Sequence, residues 1–232
     1  QRDRHPLRYR YADGDRVIDL DRFPNNLQLS AATAFFRMAS LTEHGLNFDA
    51  RVQPNFEDGH LVARYLLLAP KPIVAFLASA NYHYRRRSDG SSTIQTSGAD
   101  PRRYTTVVEH GYLAALAFAK DTKGHVPVWL QNTVIYDLSW TLRSDEQMLS
   151  ATAGLDSASA ARFHELVAQC RSYLDDEVIE GFDITARSTT QVEALLHGYT
   201  ERPWRWDAVR LNHVDGARKL VELRYHFTGE QP

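Results

Sequence analysis

The sequence predicts an α/β unit, followed by a helical subdomain and then either a short β-hairpin or the start of a β-domain. Short apolar strand patterns at 16–19 and 73–77 flank a helical pattern at 56–69, which is typical of α/β units. Several helical patterns follow one another after residue 99, and a hairpin signal appears near the end of the chain. We therefore divide the chain into residues 1–98, 99–200 and 201–232.

Bulk composition excludes several classes of protein. The 232 residues are 43% hydrophobic and 24% charged, which suits a globular protein of one large or two small domains. The net charge of -2 gives no general field for nucleic acid, so we expect no nucleic-acid partner. No apolar run approaches the roughly 20 residues of a membrane helix, so we expect membrane association to be peripheral at most. Cys170 lies among helix-like apolar residues and is predicted to be a buried structural thiol.

The α/β unit contains three elements before its main helix. Alternation predicts a strand over 16–19, and small and apolar residues predict a buried strand or turn over 27–36. Ser40-Leu41-Thr42-Glu43 has the spacing of a capping box, and Gly45 can end the short helix that it would start.

The main helix of this unit is predicted over 56–69. Glu57 and Asp58 fall in its first turn, where the helix dipole favours negative charge, and Pro70 stops it. An apolar strand over 73–77 and an alternating strand over 81–85 should follow, and a polar loop over 88–98 could close over a ligand.

The helical subdomain is predicted from capping signals and apolar periodicity. Asp100-Pro101 is a typical helix start, and Gly124 is a typical end. The predicted helices cover residues 101 to about 120, 126–143 (with Leu130, Val134 and Leu138 on one face), 157–174 (capped by Asp156) and 190–198. In the tail, Asp215-Gly216 predicts a hairpin turn before the alternating segment 220–227. The basic pair Arg102-Arg103 fits an ordinary solvated surface.

Two adjacent carboxylates open the main helix of the α/β unit. Such a pair often only complements the helix dipole. Its functional interpretation is that Asp58 is a general base, which would take a proton from an acceptor hydroxyl about 2.6–3.2 Å away. Glu57 would then orient the acceptor by a hydrogen bond.

A basic, aromatic segment follows that helix. His83 lies between two tyrosines, and three arginines come next: Arg85, Arg86 and Arg87. A lone histidine in a strand is more often structural, but cations close to it favour a neutral imidazole, which can bind a metal or a phosphate. Guanidiniums bind a pyrophosphate in bidentate fashion, and Ser91 and Ser92 in the adjoining turn add further donors.

These segments together resemble the second half of family 2 glycosyltransferases of the GT-A type. The resemblance covers residues 27 to 95 and rests on Leu41 to Asp49, Phe56-Glu57-Asp58 and Tyr82 to Ser92, in this order and at this spacing. Residues 101 to 145 and the tail look similar to actinobacterial cell-wall or teichoic-acid-type transferases.

The resemblance implies an inverting, metal-assisted transfer of a sugar from a nucleotide-sugar to a hydroxyl of a surface polymer such as teichoic acid. Asp58 matches the catalytic base and Glu57 its acidic neighbour at the acceptor site. His83 matches a metal-ligand position for Mn or Mg, or a phosphate contact, and Arg85 and Arg86 match the leaving-group binders. The implied location is the cytoplasm, at the inner face of the membrane if the protein associates with one.

The donor-binding half of such a domain is missing from this sequence. Asp19-Leu20-Asp21 spells the D-x-D metal motif, but too few residues precede it for a βαβ unit of roughly 30 residues. We interpret it as a chance match and expect the donor half upstream, so the chain is predicted to be the acceptor half of a GT-A domain with a C-terminal extension.

Two other interpretations compete with this one. The chain could be a non-catalytic module that binds an anionic polymer or a partner subunit, with Trp129, Trp140, Trp204 and Trp206 as platforms for sugar rings. A hydrolase with two carboxylates is disfavoured, because its carboxylates must stand roughly 5–9.5 Å apart across a scissile bond and Glu57 and Asp58 are neighbours.

Overall fold

The first sheet pairs two short strands, β1 (Arg16–Asp19) and β2 (Ile73–Phe76). We describe it from a computed structural model, which covers residues 5–83, 100–145, 155–201 and 209–225. The strands are antiparallel, with Arg16 opposite Phe76 and Asp19 opposite Ile73, and both were predicted. Residues 27–36 form turns and irregular chain, so of the two alternatives predicted there the turn is confirmed and the strand is wrong. Residues 81–83 do not form a strand, and the rest of the predicted strand over 81–85 and the loop over 88–98 lie outside the described residues.

The short helix α1 (Met38–Glu43) begins earlier than its capping-box pattern predicts. Arg37 is its N-cap and forms no side-chain capping bond, and Ser40 lies inside the helix. Gly45 adopts a φ of 58°, the left-handed conformation that favours glycine after a helix end. The predicted end is therefore confirmed and the predicted cap is wrong.

The main helix α2 spans Glu57–Leu68, as predicted. Glu57 and Asp58 occupy its first turn, and its buried face includes Leu61, Val62 and Leu66. Ala69 turns to extended backbone before Pro70, because a residue that precedes proline is disfavoured in helical conformation. This helix carries the carboxylates on a rigid element of the core.

The helical region is longer and more irregular than predicted. A turn of 3-10 helix (Pro101–Arg103) and a π-helical segment (Val107–Leu113) lead into α3, which ends at Gly124 with a φ of 77°. Asp156 caps α5 by accepting the Ser159 N–H at 2.8 Å, as predicted. The helices are α3 (Ala114–Lys123), α4 (Val128–Asp145), α5 (Ser157–Arg171), α6 (Asp176–Gly181) and α7 (Thr189–Glu193), the last continued by a π-helical turn (Ala194–Gly198). The sequence did not predict α6, and α7 begins one residue earlier than the predicted helix over 190–198, with Ser188 as its cap.

One apolar cluster joins the α/β unit to the helices. It contains Ile18 and Phe76 from the first sheet together with Leu130, Val134 and Leu138 from α4, which are buried as their spacing predicts. The core therefore continues across the predicted boundary at residue 98, and packing in this core is what fixes α2 against the helices.

The tail forms the predicted hairpin, with strands β3 (Arg210–Asp215) and β4 (Leu220–Arg224) in antiparallel register. Asp215 accepts the Ala217 and Arg218 N–H groups, which fixes the turn. Among the helices that the structure describes, none combines the length and the apolar character needed to span a membrane.

Candidate active site

The turn before α2 is held in an unusual backbone conformation. Phe56, its N-cap, has a φ of 70° although it is not a glycine. Such a conformation costs about 1–2 kcal/mol in a residue with a Cβ, so surrounding contacts must stabilise it. The Phe56 ring is buried and meets the ring of Tyr112 edge to face, with 4.8 Å between the centroids.

Two glycines leave the space that this ring fills. A Cβ on Gly59 would lie 2.8 Å from Cε2 of Phe56, and a Cβ on Gly111 would lie 3.0 Å from Cδ1. Gly59 belongs to α2, and Gly111 to the π-helical segment before α3. The ring thus packs between two elements and fixes where α2 begins.

Glu57 and Asp58 project from this start and are both half-buried. The Oδ2 atom of Asp58 accepts the Ser30 hydroxyl at 3.4 Å. Burial raises the pKa of Glu57, and the charges of Asp58 and Asp137 raise it further. The structure therefore brings the two predicted carboxylates together with a third that the sequence did not predict.

That third carboxylate, Asp137, comes from the middle of α4. Its Oδ2 atom accepts the Tyr112 hydroxyl at 2.5 Å and the Asn55 side-chain amide at 3.3 Å. Burial raises the pKa of Asp137, while the Tyr112 hydrogen bond and the Arg103 charge act in the opposite direction. The only local signal for this residue is a lone acid among the apolar residues of an amphipathic helix.

Arg103 is not the solvated residue that the sequence predicted. Its neighbour Arg102 is exposed and pairs with Asp100 at 2.6 Å, as a surface residue would. Arg103 is half-buried, and its Nε donates to the Thr141 hydroxyl of α4 at 3.2 Å. Burial raises the pKa of both Asp137 and Tyr112, and the Arg103 charge opposes that rise in each, so this guanidinium lies close to the acidic cluster.

The second predicted half of the site is described only in part. His83 is exposed, and no hydrogen bond or ion pair within the described ranges links it to Glu57 or Asp58. Arg85, Arg86, Arg87, Ser91 and Ser92 lie outside the described residues.

The predicted metal site is not made up by the described residues. Among them, no three His, Cys, Asp or Glu side chains are grouped as ligands for a metal ion. Metal binding at His83 therefore stays a prediction.

His60 follows the carboxylates on α2 and points into the protein. It is 3% exposed, and its Nδ1 atom has no hydrogen-bond partner among the residues that the structure describes. Burial and the nearby Arg64 lower its pKa to about 4. The imidazole is therefore neutral near pH 7.

Of the four tryptophans that the binding-module interpretation uses as sugar platforms, the structure describes two, Trp129 and Trp140. Trp129 is 3% exposed and belongs to the core. Trp140 packs against the Tyr136 ring and the Arg143 guanidinium. Trp204 and Trp206 lie outside the described residues. A buried indole cannot stack on a sugar ring, so Trp129 does not support this alternative.

A separate cleft of about 480 Å³ lies at the N-terminal end of α4. Asp21, Lys120, His125 and Tyr173 contribute to its wall, and neither Glu57 nor Asp58 does. Asp21, from the Asp19-Leu20-Asp21 segment, thus lines a different cleft from the carboxylate pair.

Comparison with known proteins identifies two curated relatives from Bacillus subtilis strain 168. The chain is 28% identical over 209 residues to the minor teichoic acid biosynthesis protein GgaB, an alignment that covers 90% of this chain and 21% of GgaB. It is 27% identical over 228 residues to the minor teichoic acid biosynthesis protein GgaA, covering 97% of this chain and 50% of GgaA. The chain thus spans half or less of each relative. No protein-family model and no solved structure matches it.

Proposed function

We propose that this chain is the acceptor side of an inverting, metal-assisted glycosyltransferase that builds teichoic acid or a related cell-wall polymer. The observation that carries the proposal is the rigidly held carboxylate pair at the start of α2, in a chain similar to two proteins named for minor teichoic acid biosynthesis. The GT-A fold of family 2 and an upstream donor-binding half are parts of the same proposal.

Asp58 is the general base of the proposed reaction. It takes the proton of an acceptor hydroxyl while that oxygen forms a bond to the anomeric carbon of the sugar. The bond from the anomeric carbon to the diphosphate breaks on the opposite side, and the nucleoside diphosphate leaves with its electron pair. Because attack and departure occur on opposite faces, the configuration at the anomeric carbon is inverted.

Glu57 holds the acceptor beside this base. Its raised pKa makes it a more basic carboxylate than an exposed glutamate, which strengthens its hydrogen bond to a hydroxyl. Burial on a helix start also limits its motion, which favours a single acceptor orientation.

The basic residues bind the leaving group. Arg85, Arg86 and Arg87, with Ser91 and Ser92, supply guanidinium and hydroxyl donors for a diphosphate, and Arg103 adds one cation beside the carboxylates. A divalent Mn or Mg ion, when bound, would neutralise diphosphate charge, and His83 is the residue that we propose for its binding. The donor and the polymer are the expected partners, and the expected place of action is the cytoplasm, at the inner face of the membrane where the protein contacts one.

Transfer assays with the full-length protein test this proposal. Purified protein is incubated with a panel of nucleotide-sugars and teichoic acid, and release of nucleoside diphosphate is measured with and without a chelator of divalent metals. We expect release with at least one donor, loss of release with the chelator, and inverted configuration of the linked sugar by NMR. Absence of release with every donor would refute the transferase assignment.

Replacement of Glu57 by Gln tests the acceptor role. We expect KM for the polymer to rise by about tenfold or more, because a neutral amide is a weaker acceptor of the sugar hydroxyl proton. Glu43→Gln, at an exposed glutamate of α1, is the matched control and should leave KM unchanged.

A further inference from the structure

Tyr112 and Asp137 hold the two residues that precede the carboxylate pair. The hydroxyl of Tyr112 donates to Oδ2 of Asp137 at 2.5 Å, and the same oxygen accepts the amide of Asn55 at 3.3 Å. The ring of Tyr112 packs edge to face on Phe56. Asn55 and Phe56 are therefore both attached to one hydrogen-bonded pair of side chains.

Burying the Tyr112–Asp137 pair costs folding free energy. Asp137 is a partly buried acid in the middle of α4, and burial raises its pKa because it disfavours the charged form. Replacing buried ion or hydrogen-bond networks by apolar residues often leaves stability unchanged or improved. Stability alone thus gives little reason for a carboxylate between the apolar residues of this helix.

The Asn55 side chain depends on Asp137 for its orientation. Its Oδ1 atom is buried and has no partner among the described residues, so the Nδ2 bond to Asp137 is its link to the helical region. Asn55 is 82 positions from Asp137 in sequence, which makes this bond a tie between α4 and the start of α2. Loss or displacement of the Asn55–Asp137 hydrogen bond would shift the turn at Phe56, and with it Glu57 and Asp58.

We propose that Tyr112 and Asp137 are positioning residues, which fix the Asn55-Phe56 turn and so aim Glu57 and Asp58 at the acceptor. This inference rests on the proposed transferase function of that site. It also places part of the active centre in the helical region, because Tyr112 lies in the segment before α3 and Asp137 lies in α4.

Charged and titratable groups from several elements lie near Asp137, including its neighbour Tyr136 in α4. Glu57 and Asp58 lie on α2, Tyr112 on the π-helical segment and Arg103 on the turn before it. Removing the negative charge of Asp137 should therefore lower the pKa of Glu57, which that charge helps to raise.

The test uses full-length protein with Tyr112→Phe and Asp137→Asn. Tyr112→Phe keeps the ring on Phe56 and removes the hydroxyl, while Asp137→Asn keeps an acceptor oxygen and removes the charge. We expect kcat to fall by roughly ten- to a hundredfold with KM for the nucleotide-sugar changed by less than about threefold, because small misplacements of reacting groups slow the chemical step.

Asp175→Asn is the matched control. Asp175 also accepts a side-chain amide from α4, that of Gln131 at 2.7 Å, but it belongs to the separate cleft. We expect its kcat to match the wild type. If all three variants lose kcat equally, or if Tyr112→Phe and Asp137→Asn stay folded with kcat within about twofold of the wild type, the positioning role is overturned.

A second measurement needs no substrate and separates this inference from the transferase assignment. 4-Fluorophenylalanine is placed at position 56 in the full-length protein, and its ¹⁹F resonance is recorded. We expect a single sharp line that broadens or shifts in Tyr112→Phe and Asp137→Asn, and does not change in Asp175→Asn. An unchanged line in both test variants overturns the inference, whereas inactivity of the wild type with every donor overturns only the proposed function.

Discussion

Replacing Gly59 by alanine tests whether the Phe56 ring fixes the start of α2. The new Cβ would lie 2.8 Å from Cε2 and 3.0 Å from Cδ2 of Phe56, closer than carbon atoms pack. The ring has little room to move away, because its other edge faces Gly111 and its plane meets Tyr112. The turn that carries Glu57 must therefore move to accept the methyl group.

The expected change in stability combines two opposing contributions. Alanine in a helix interior is favoured over glycine by about 1 kcal/mol. Overpacking a tight site costs about 1–3 kcal/mol. The free energy of unfolding should thus fall by about 0–2 kcal/mol in Gly59→Ala, as the difference between these two ranges.

Gly181→Ala isolates the steric contribution. Gly181 also lies in a helix, but a Cβ there would meet nothing within 4 Å, so this variant should be more stable than the wild type by about 1 kcal/mol. Equilibrium urea denaturation of the wild type and both variants should show Gly59→Ala less stable than Gly181→Ala by about 1–3 kcal/mol. Equal stability of the two variants would refute the packing argument.

Three further predictions concern buried or capping side chains. The pKa of His60 is about 4 in the folded protein, below its usual value, so the unfolded chain binds a proton more readily and stability falls as the pH is lowered. Between about pH 7.5 and about pH 5 this group should lower the free energy of unfolding by about 2 kcal/mol. Urea denaturation of His60→Leu should not show that loss. Cys170 is 1% exposed and burial raises its pKa to about 12, so a thiol reagent should label it only after denaturant is added, and rapid labelling of the native protein would contradict its burial. Asp156→Ala should lower the unfolding free energy by about 1 kcal/mol, because α5 loses its cap, whereas Asp156→Asn should retain most of it.

Elements with local signals were predictable from the sequence. The cap at Asp156, the left-handed Gly124 and the hairpin turn at Asp215 each depend on residues within a few positions of one another. The apolar face of α4 follows from helical spacing for the same reason. The first turn of α2, with its two carboxylates, was likewise predictable.

The structure around those carboxylates was not predictable, since it is built from contacts between distant positions. The bond from Asn55 to Asp137 spans 82 positions, and no periodic pattern encodes it. The solvated interpretation of Arg103 failed because its neighbour Arg102 takes Asp100, while Arg103 reaches Thr141 on another helix. The cap of α1 was wrong because a matching four-residue pattern fixes neither the register nor the start of a short helix.

The rate of sugar transfer by Asp58→Asn in the full-length protein tests the central claim most directly. Asparagine keeps the size of the side chain and an acceptor for the Ser30 hydroxyl, but it cannot take a proton. Asp121→Asn, at an exposed aspartate of α3, controls for loss of one negative charge. We predict that kcat of Asp58→Asn falls by about 10²- to 10⁴-fold while Asp121→Asn keeps the wild-type rate. A folded Asp58→Asn protein that transfers sugar at the wild-type rate would contradict the assignment of Asp58 as the base.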